Sequence, residues 1–177
     1  AQASRSGVVT GGGAVEAGSQ VTLAAVPRSL FSGWYDAAGT LLSKDPTYSL
    51  TAEKNTTVYA LFDDDLFVDL PDDAWYLEDA IEAARRGLVN GTSAITFSGE
   101  IPFSRAMAVT MLYRLDQGNS DILSLGAADP DAAVPFQDVP EGEWYSEAVR
   151  WAYQYQVVNG VSATSFAPNQ SVTRQDF

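Results

Sequence analysis

The chain has 177 residues, 46% of them hydrophobic and 19% charged, which suits one ordinary domain or two to three small modules with modest cores. Its formal charge of −13 repels phosphate backbones and anionic surfaces, so no nucleic acid is expected, and no apolar run nears the roughly 20 residues of a membrane span. Without a single cysteine or histidine, the chain lacks disulfides, thiol nucleophiles, the commonest general base and the commonest zinc ligands, so neither an enzyme nor a cofactor or metal is expected.

In chain order, residues 1–63 read as a small antiparallel β-module, β-grasp-like or sandwich-like. Val21, Leu23 and Ala25 alternate with Thr22, Ala24 and Val26; Trp34-Tyr35, Tyr48 and residues 57–62 supply further strand residues. Turn clusters at 15–18, 36–39 and 53–55 separate the strands, Trp34 and Tyr35 are assigned to the core, and Asp63-Asp64-Asp65 marks a solvated boundary. Nothing at Ala1 reads as a signal peptide, so the numbering follows its removal or starts inside a longer protein.

Self-similarity organises the rest. Phe67-Val-Asp-Leu-Pro71 recurs 69 residues on as Phe136-Gln-Asp-Val-Pro140, and Trp75-Tyr76 then falls on Trp144-Tyr145 without a gap. The same offset superposes Glu78, Ala83, Val89, Asn90, Gly91, Ser93, Ala94, Phe97 and Arg105 on Glu147, Ala152, Val158, Asn159, Gly160, Ser162, Ala163, Phe166 and Arg174. Each copy reads as helix, loop, helix: the first over 64–117, a linker over 118–133, the second over 134–177.

In the first copy Asp72 and Asp73 supply N-cap chemistry, Ala80, Ala83, Ala84 and Leu88 form the buried face, and Gly87 stops the helix. Val149, Ala152, Tyr153 and Val157 are the corresponding face of the second. Asn90-Gly91 and Asn159-Gly160 predict a tight turn with positive φ, pinned by Phe97 and Phe166. Ser104 is an N-cap for a second helix whose apolar stripe, Ala108, Met111, Leu112 and Leu115, ends near Arg114; Ile122, Leu123 and Leu125 could make a short ordered turn in the linker. The second copy reaches only the residue equivalent to Ala108, so the sequence predicts a truncated repeat whose first helix has an uncovered apolar face, the vacant site being disordered or filled by another chain.

These residues carry a resemblance. Phe67-x-Asp69-x-Pro71, Trp75-Tyr76, Gly87-x-Val89-Asn90-Gly91, Phe97 and Ser104-Arg105-Ala106 resemble the S-layer homology domain, and Thr173-Arg174-Gln175-Asp176 is similar to that family's Thr-Arg-Ala-Glu signature. Val21-Thr-Leu-x-Ala25, Gly33-Trp-Tyr35 and Val58-Tyr-Ala-Leu-Phe62 resemble the divergent β-repeats related to internalin B-repeats. The resemblance implies an α+β chain in which helix-loop-helix repeats build a pseudo-threefold helical bundle. It also implies an extracellular, cell-wall location and noncovalent anchoring to a peptidoglycan-linked polysaccharide, often pyruvylated. Further repeats of the same or a neighbouring chain are implied partners. The loop departs from the family's Gly-x-x-Asp-Gly-Thr-Phe form at 91–97 and 160–166, and Met107 stands where the signature has Glu.

For polysaccharide binding the candidates are Arg105, Arg174, Trp75, Trp144, Asn90, Gly91, Asn159 and Gly160. Each arginine opens a helix, where unpaired N–H groups favour an anion, and its planar donor fork suits a carboxylate. The competing reading pairs the arginines with Asp69 and Asp138 to hold each hairpin. The tryptophans could stack on sugar rings, yet such residues are more often core, which leaves Tyr76 and Tyr145 for an exposed rim. Asp129 to Asp131 lacks the ligand pattern of a calcium loop, and Asp72-Asp73 or Glu141 and Glu143 do not make a glycosidase pair. The rival function is a structural or protein-interaction module without sugar binding.

Overall fold

The structure, a computed structural model, describes residues 1–62, 65–118 and 125–173. Its residues divide into two compact units, 1–84 with 90–99, and 85–89 with 100–177. The chain is α+β.

In the first unit the strands are β1 (Gln2–Ala3), β2 (Val8–Thr10), β3 (Ser19–Val26), β4 (Phe31–Tyr35), β5 (Leu41–Ser43), β6 (Thr47–Ala52) and β7 (Tyr59–Phe62). They form a four-stranded sheet, β1-β7-β4-β5, and a three-stranded sheet, β2-β3-β6, antiparallel except for β1 beside β7. The alternation along β3 works as expected: Leu23 and Ala25 are buried while Thr22 and Val26 face solvent. Both sheets contribute to one core of Leu23, Ala25, Trp34, Val58, Ala60 and Phe62. Trp34 is fully buried and its indole N–H donates to Asp45 O at 3.0 Å, but Tyr35 is only half-buried.

The acidic boundary needs correction at its described end. Asp63 and Asp64 lie outside the described residues. Asp65 is not solvated: it is buried, accepts the Ser6 N–H at 2.6 Å and stands 3.3 Å from Arg5 Nε.

Helix α1 (Leu77–Arg85) starts later than expected, because Pro71 to Ala74 forms a turn first, with Ala74 N–H on Pro71 O and Leu77 N–H on Ala74 O. Asp72 and Asp73 therefore lie ahead of the helix and are exposed. The buried face is Leu77, Ala80 and Ile81, joined by Ala84, a spacing of three and four residues that packs on Phe67, Leu70 and Phe97; Ala83 and Leu88 are peripheral to it.

In the second unit α2 (Arg105–Gly118) is capped as predicted, Ser104 Oγ accepting the Met107 N–H at 3.3 Å. It runs past Arg114 because Asp116 is buried, where it accepts from Trp151 Nε1 at 3.2 Å and Leu125 N at 2.8 Å. The face is also rotated from the expected stripe: Ala106, Val109 and Thr110 are buried with Ala108, while Met111, Leu112 and Leu115 are half-buried.

Helix α3 (Ser146–Gln154) buries Ala148, Val149, Trp151 and Ala152, whereas Tyr153 is 41% exposed. Where α1 has Asp79 and Glu82, α3 has Ala148 and Trp151, giving it a second apolar face. That face packs on α2, with the Trp151 and Tyr113 rings 5.5 Å apart, so the expectation of an uncovered α3 does not hold. Ile122 and Leu123 lie outside the described residues. From Leu125 on, the segment is tied to both helices through Gln117 Nε2 on Gly126 O and Asp129 N on Gln154 Oε1.

Candidate functional site

The two copies fold the same loop with the same backbone bonds, which the sequence identity alone does not guarantee. Val68 N–H reaches Ile95 O at 2.8 Å, and its counterpart Gln137 N–H reaches Thr164 O at 2.9 Å. The Asp69 carboxylate accepts the N–H groups of Phe97 and Ser98, both at 2.7 Å; Asp138 accepts those of Phe166 and Ala167, both at 2.8 Å. Ser98 and Ala167 take φ of 60° and 58°, a conformation normally disfavoured for side chains with a Cβ. The paired carboxylate bonds hold it in place in each copy.

Asp69 and Asp138 are thus loop organisers; Arg105 bonds carbonyls of the second copy, and the expected pairing of Asp138 with Arg174 lies outside the described residues. The physical reason is that two backbone N–H groups of the loop would otherwise be unsatisfied, and one carboxylate accepts both. For Asp138 burial works against ionisation, yet the Phe166 N–H, the Ser165 hydroxyl at 2.7 Å and the Ala167 N–H together hold its carboxyl below the ordinary value.

Gly91 and Gly160 do shape the loop, but not by positive φ. A Cβ on Gly91 would lie 2.0 Å from Thr96 O and 2.6 Å from the Phe67 ring; on Gly160 it would lie 2.5 Å from both the Phe136 ring and Ser162 O. Close approach of backbone to backbone and ring is what demands glycine there. Asn90 and Asn159 are exposed beside them.

Arg105 has a different role from either expectation. Its Nε donates to Phe166 O at 2.9 Å, its Nη2 to Asn159 O at 2.7 Å, and the guanidinium carbon sits 4.7 Å over the Phe166 ring. The helix start is occupied too: Arg105 N–H reaches Gln170 O and Ala106 N–H reaches Pro168 O, each at 2.9 Å. The N-terminus of α2 is therefore filled by carbonyls of the second copy's loop and is not open to an anion. Arg174 lies outside the described residues.

The aromatic assignment is reversed. Trp75 is 82% exposed and Trp144 58%, while Tyr145 is buried and Tyr76 half-buried beneath them. Each indole stands edge-on to its neighbouring tyrosine, at 5.5 Å in the first copy and 5.1 Å in the second. Both tryptophans precede the first helical residue, so the helical periodicity that argued for burial does not reach them. Burial, with Glu143 and Asp138 nearby, raises the Tyr145 phenol above its ordinary value.

The sequence reading passed over one group. Thr92, Ser93, Thr96 and Ser98 form a linked run of hydroxyls in the first loop, where the second has Val161, Ser162, Ser165 and Ala167. Comparing the two copies at these positions would have exposed it. Among the described residues no acidic cluster has the form of a metal site; Glu141 pairs with Arg150 at 3.0 Å, and Asp129 Oδ1 accepts the Asp131 N–H within its own turn. No helix among the described residues is long and apolar enough to cross a membrane.

Residues 135–177 match the family described as the S-layer homology domain, and residues 1–66 match the divergent InlB B-repeat domain. An amylopullulanase of Thermoanaerobacterium thermosulfurigenes is 30% identical over 120 residues, 67% of this chain and 6% of that protein. An endoglucanase of Bacillus sp. (strain KSM-635) is 30% identical over 112 residues, 62% of this chain and 10% of its own length. The surface-layer 125 kDa protein of Lysinibacillus sphaericus is 30% identical over 102 residues, 57% of this chain and 8% of its own. The chain spans a tenth or less of these relatives. Residues 1–66 are thus similar to the divergent InlB B-repeat and residues 135–177 to the S-layer homology domain, whose loop is duplicated at residues 67–98.

Proposed function

We propose that the chain is a noncovalent anchor that holds an exported protein at the bacterial cell wall by binding peptidoglycan-linked polysaccharide. The S-layer homology match carries this reading. The relatives support it: an amylopullulanase, an endoglucanase and a surface-layer protein share this short region despite their different names. A segment common to such different proteins serves a role separate from catalysis, and we assign none to this chain.

Trp75 and Trp144 are the residues we assign to sugar contact, because a large exposed indole held rigidly by its neighbour offers an apolar face at little entropic cost. Gly91, Gly160, Asn90 and Asn159 shape the loops beside them, and Arg105 is a positioning residue. Arg174 keeps the role of reading an anionic, pyruvyl-type group. The seating of Arg105 on the second loop also favours a second partner, further repeats interlocking by the same contact, which is how a pseudo-threefold bundle would be completed. The β-module, read as sandwich-like, is a spacer.

Co-sedimentation tests the reading: the chain pellets with wall sacculi that retain their polysaccharide and stays in solution with sacculi stripped of it. Equal behaviour with both would contradict it.

A further inference from the structure

The 69-residue offset that superposes the two copies also shows where they differ. Asp65 stands over Val134, Ile81 over Arg150 and Ile95 over Thr164. In the second copy each of these residues is provided for within the repeat or by water: Val134 packs on the core around Phe136, Arg150 Nη2 donates to Glu141 Oε1 at 3.0 Å, and Thr164 is exposed. The first copy is different. Asp65 is a buried carboxylate, which is stable only when paired, and Ile95 is a fully buried apolar residue at a position the second copy leaves in water. Ile81 is aliphatic and cannot hold Asp72, the counterpart of Glu141, as Arg150 holds its own partner.

The β-module supplies what is missing. Its Ser6 N–H donates to Asp65 Oδ2 at 2.6 Å, and its Arg5 Nε stands 3.3 Å from Oδ1. The same Nε lies 3.7 Å from Asp72, an exposed pair worth little beside the buried one. Arg5 is held in place by Ser4, whose N–H reaches Ala60 O at 3.0 Å and whose hydroxyl accepts the Phe62 N–H at 3.3 Å, so the grip on Asp65 is built into β7. At a second contact, Asp36 Oδ1 accepts the N–H groups of Ala38 and Thr40 and sets the turn that carries Gly39. A Cβ on Gly39 would come within 3.1 Å of Ala94 N and 3.2 Å of Ser93 Oγ, so the turn is pressed against the first loop. Along the stretch that Gly39 meets, Ser93 is half-buried and Ile95 fully buried, whereas Ser162 and Thr164 are exposed.

We propose that the β-module is the dedicated partner of the first copy, and that residues 1–84 and 90–99 open and close as one cooperative unit rather than as a module beside a repeat. The first copy carries the residues that fit a β-module, Asp65 and Ile95; the second has Val134 and Thr164 at those places. The coupling is independent of the anchoring function, since none of its residues is assigned to sugar. A β-module joined in this way is a rigid extension of the first copy, not a flexible tether.

Native-state hydrogen exchange of the whole chain tests the coupling, read at the amides of β4 and β7 in the module and of α1 in the first copy. Two substitutions approach it from opposite sides. Ile95→Thr installs the second copy's residue and puts a hydroxyl in a buried apolar place; Arg5→Ala removes the module's cation from a buried carboxylate. Each is expected to lower protection about tenfold or more, and by the same factor on both sides, because exchange in a cooperative unit passes through one shared opening. The amides of β4 and β7 then lose protection with a change in the first copy, and those of α1 with a change in the module. Should Ile95→Thr fail to fold, Ile95→Val gives the same comparison with a smaller, equally shared loss. Loss confined to the side that carries the substitution would overturn the coupling.

Discussion

Arg105 and Phe166, 61 residues apart in sequence, are joined twice: the guanidinium lies over the ring at 4.7 Å while its Nε donates to the same residue's carbonyl at 2.9 Å. Together with the bond to Asn159 O, this fastens the second loop to the start of α2. Arg105→Ala removes two charge-assisted bonds and a cation–π contact, and should destabilise the second unit by about 2–3 kcal/mol in urea unfolding. Arg105→Lys keeps the charge but not the planar fork, so it should recover less than half of that loss.

Gly91→Ala and Gly160→Ala each place a methyl against a backbone carbonyl that cannot swing away. Each should cost more than about 2 kcal/mol, measured by chemical denaturation. Gly118→Ala, at the end of α2 with nothing within 4 Å of the added carbon, should be near neutral in the same assay.

The Asp138 carboxyl is held below its ordinary value, so the folded state binds its proton less readily than the unfolded chain does. Its contribution is fully present above the unfolded value of roughly 3.9 and is lost as pH falls through the lower folded value. Acid unfolding of the second unit should therefore become less pH-dependent in Asp138→Asn, which should also be about 2 kcal/mol less stable at neutral pH, since an amide cannot accept from both N–H groups.

At the alkaline end Tyr113 gives the opposite sign. Burial first, and then its hydrogen bond to Glu147 at 2.8 Å, push its phenol up to about 12. The folded state keeps this proton longer than the unfolded chain, so the contribution is present below pH about 10 and lost as pH rises toward about 12. Tyrosinate absorbance should show late-titrating phenols, Tyr113 and Tyr145, of which the Tyr113 component moves to lower pH in Glu147→Gln.

What the sequence made legible was whatever repeats locally or at a fixed offset. The alternation in β3, the Ser104 cap and the duplicated Phe-x-Asp-x-Pro are patterns of this kind, and each has its structural counterpart. The misread features depend on distant partners. Gly91 is crowded by the ring of Phe67, and Asp69 is claimed by N–H groups 28 and 29 residues on. Arg105 looked like an open anion reader because the carbonyls that fill its helix start come from Pro168 and Gln170, and those that hold its guanidinium from Asn159 and Phe166. Trp75 and Trp144 were weighed as core on helical spacing, although both sit in the turn before the helix.

Competition with soluble polysaccharide tests whether the exposed indoles hold the chain at the wall. The chain, bound to sacculi that retain their wall polysaccharide, is challenged with the same polysaccharide in soluble form, alongside Trp75→Ala/Trp144→Ala. Both indoles are exposed, so the double variant should fold with nearly unchanged stability. Soluble polysaccharide should release the unaltered chain, and the double variant should fail to pellet. Retention of the chain despite excess polysaccharide, or full binding by the double variant, would contradict anchoring through these indoles.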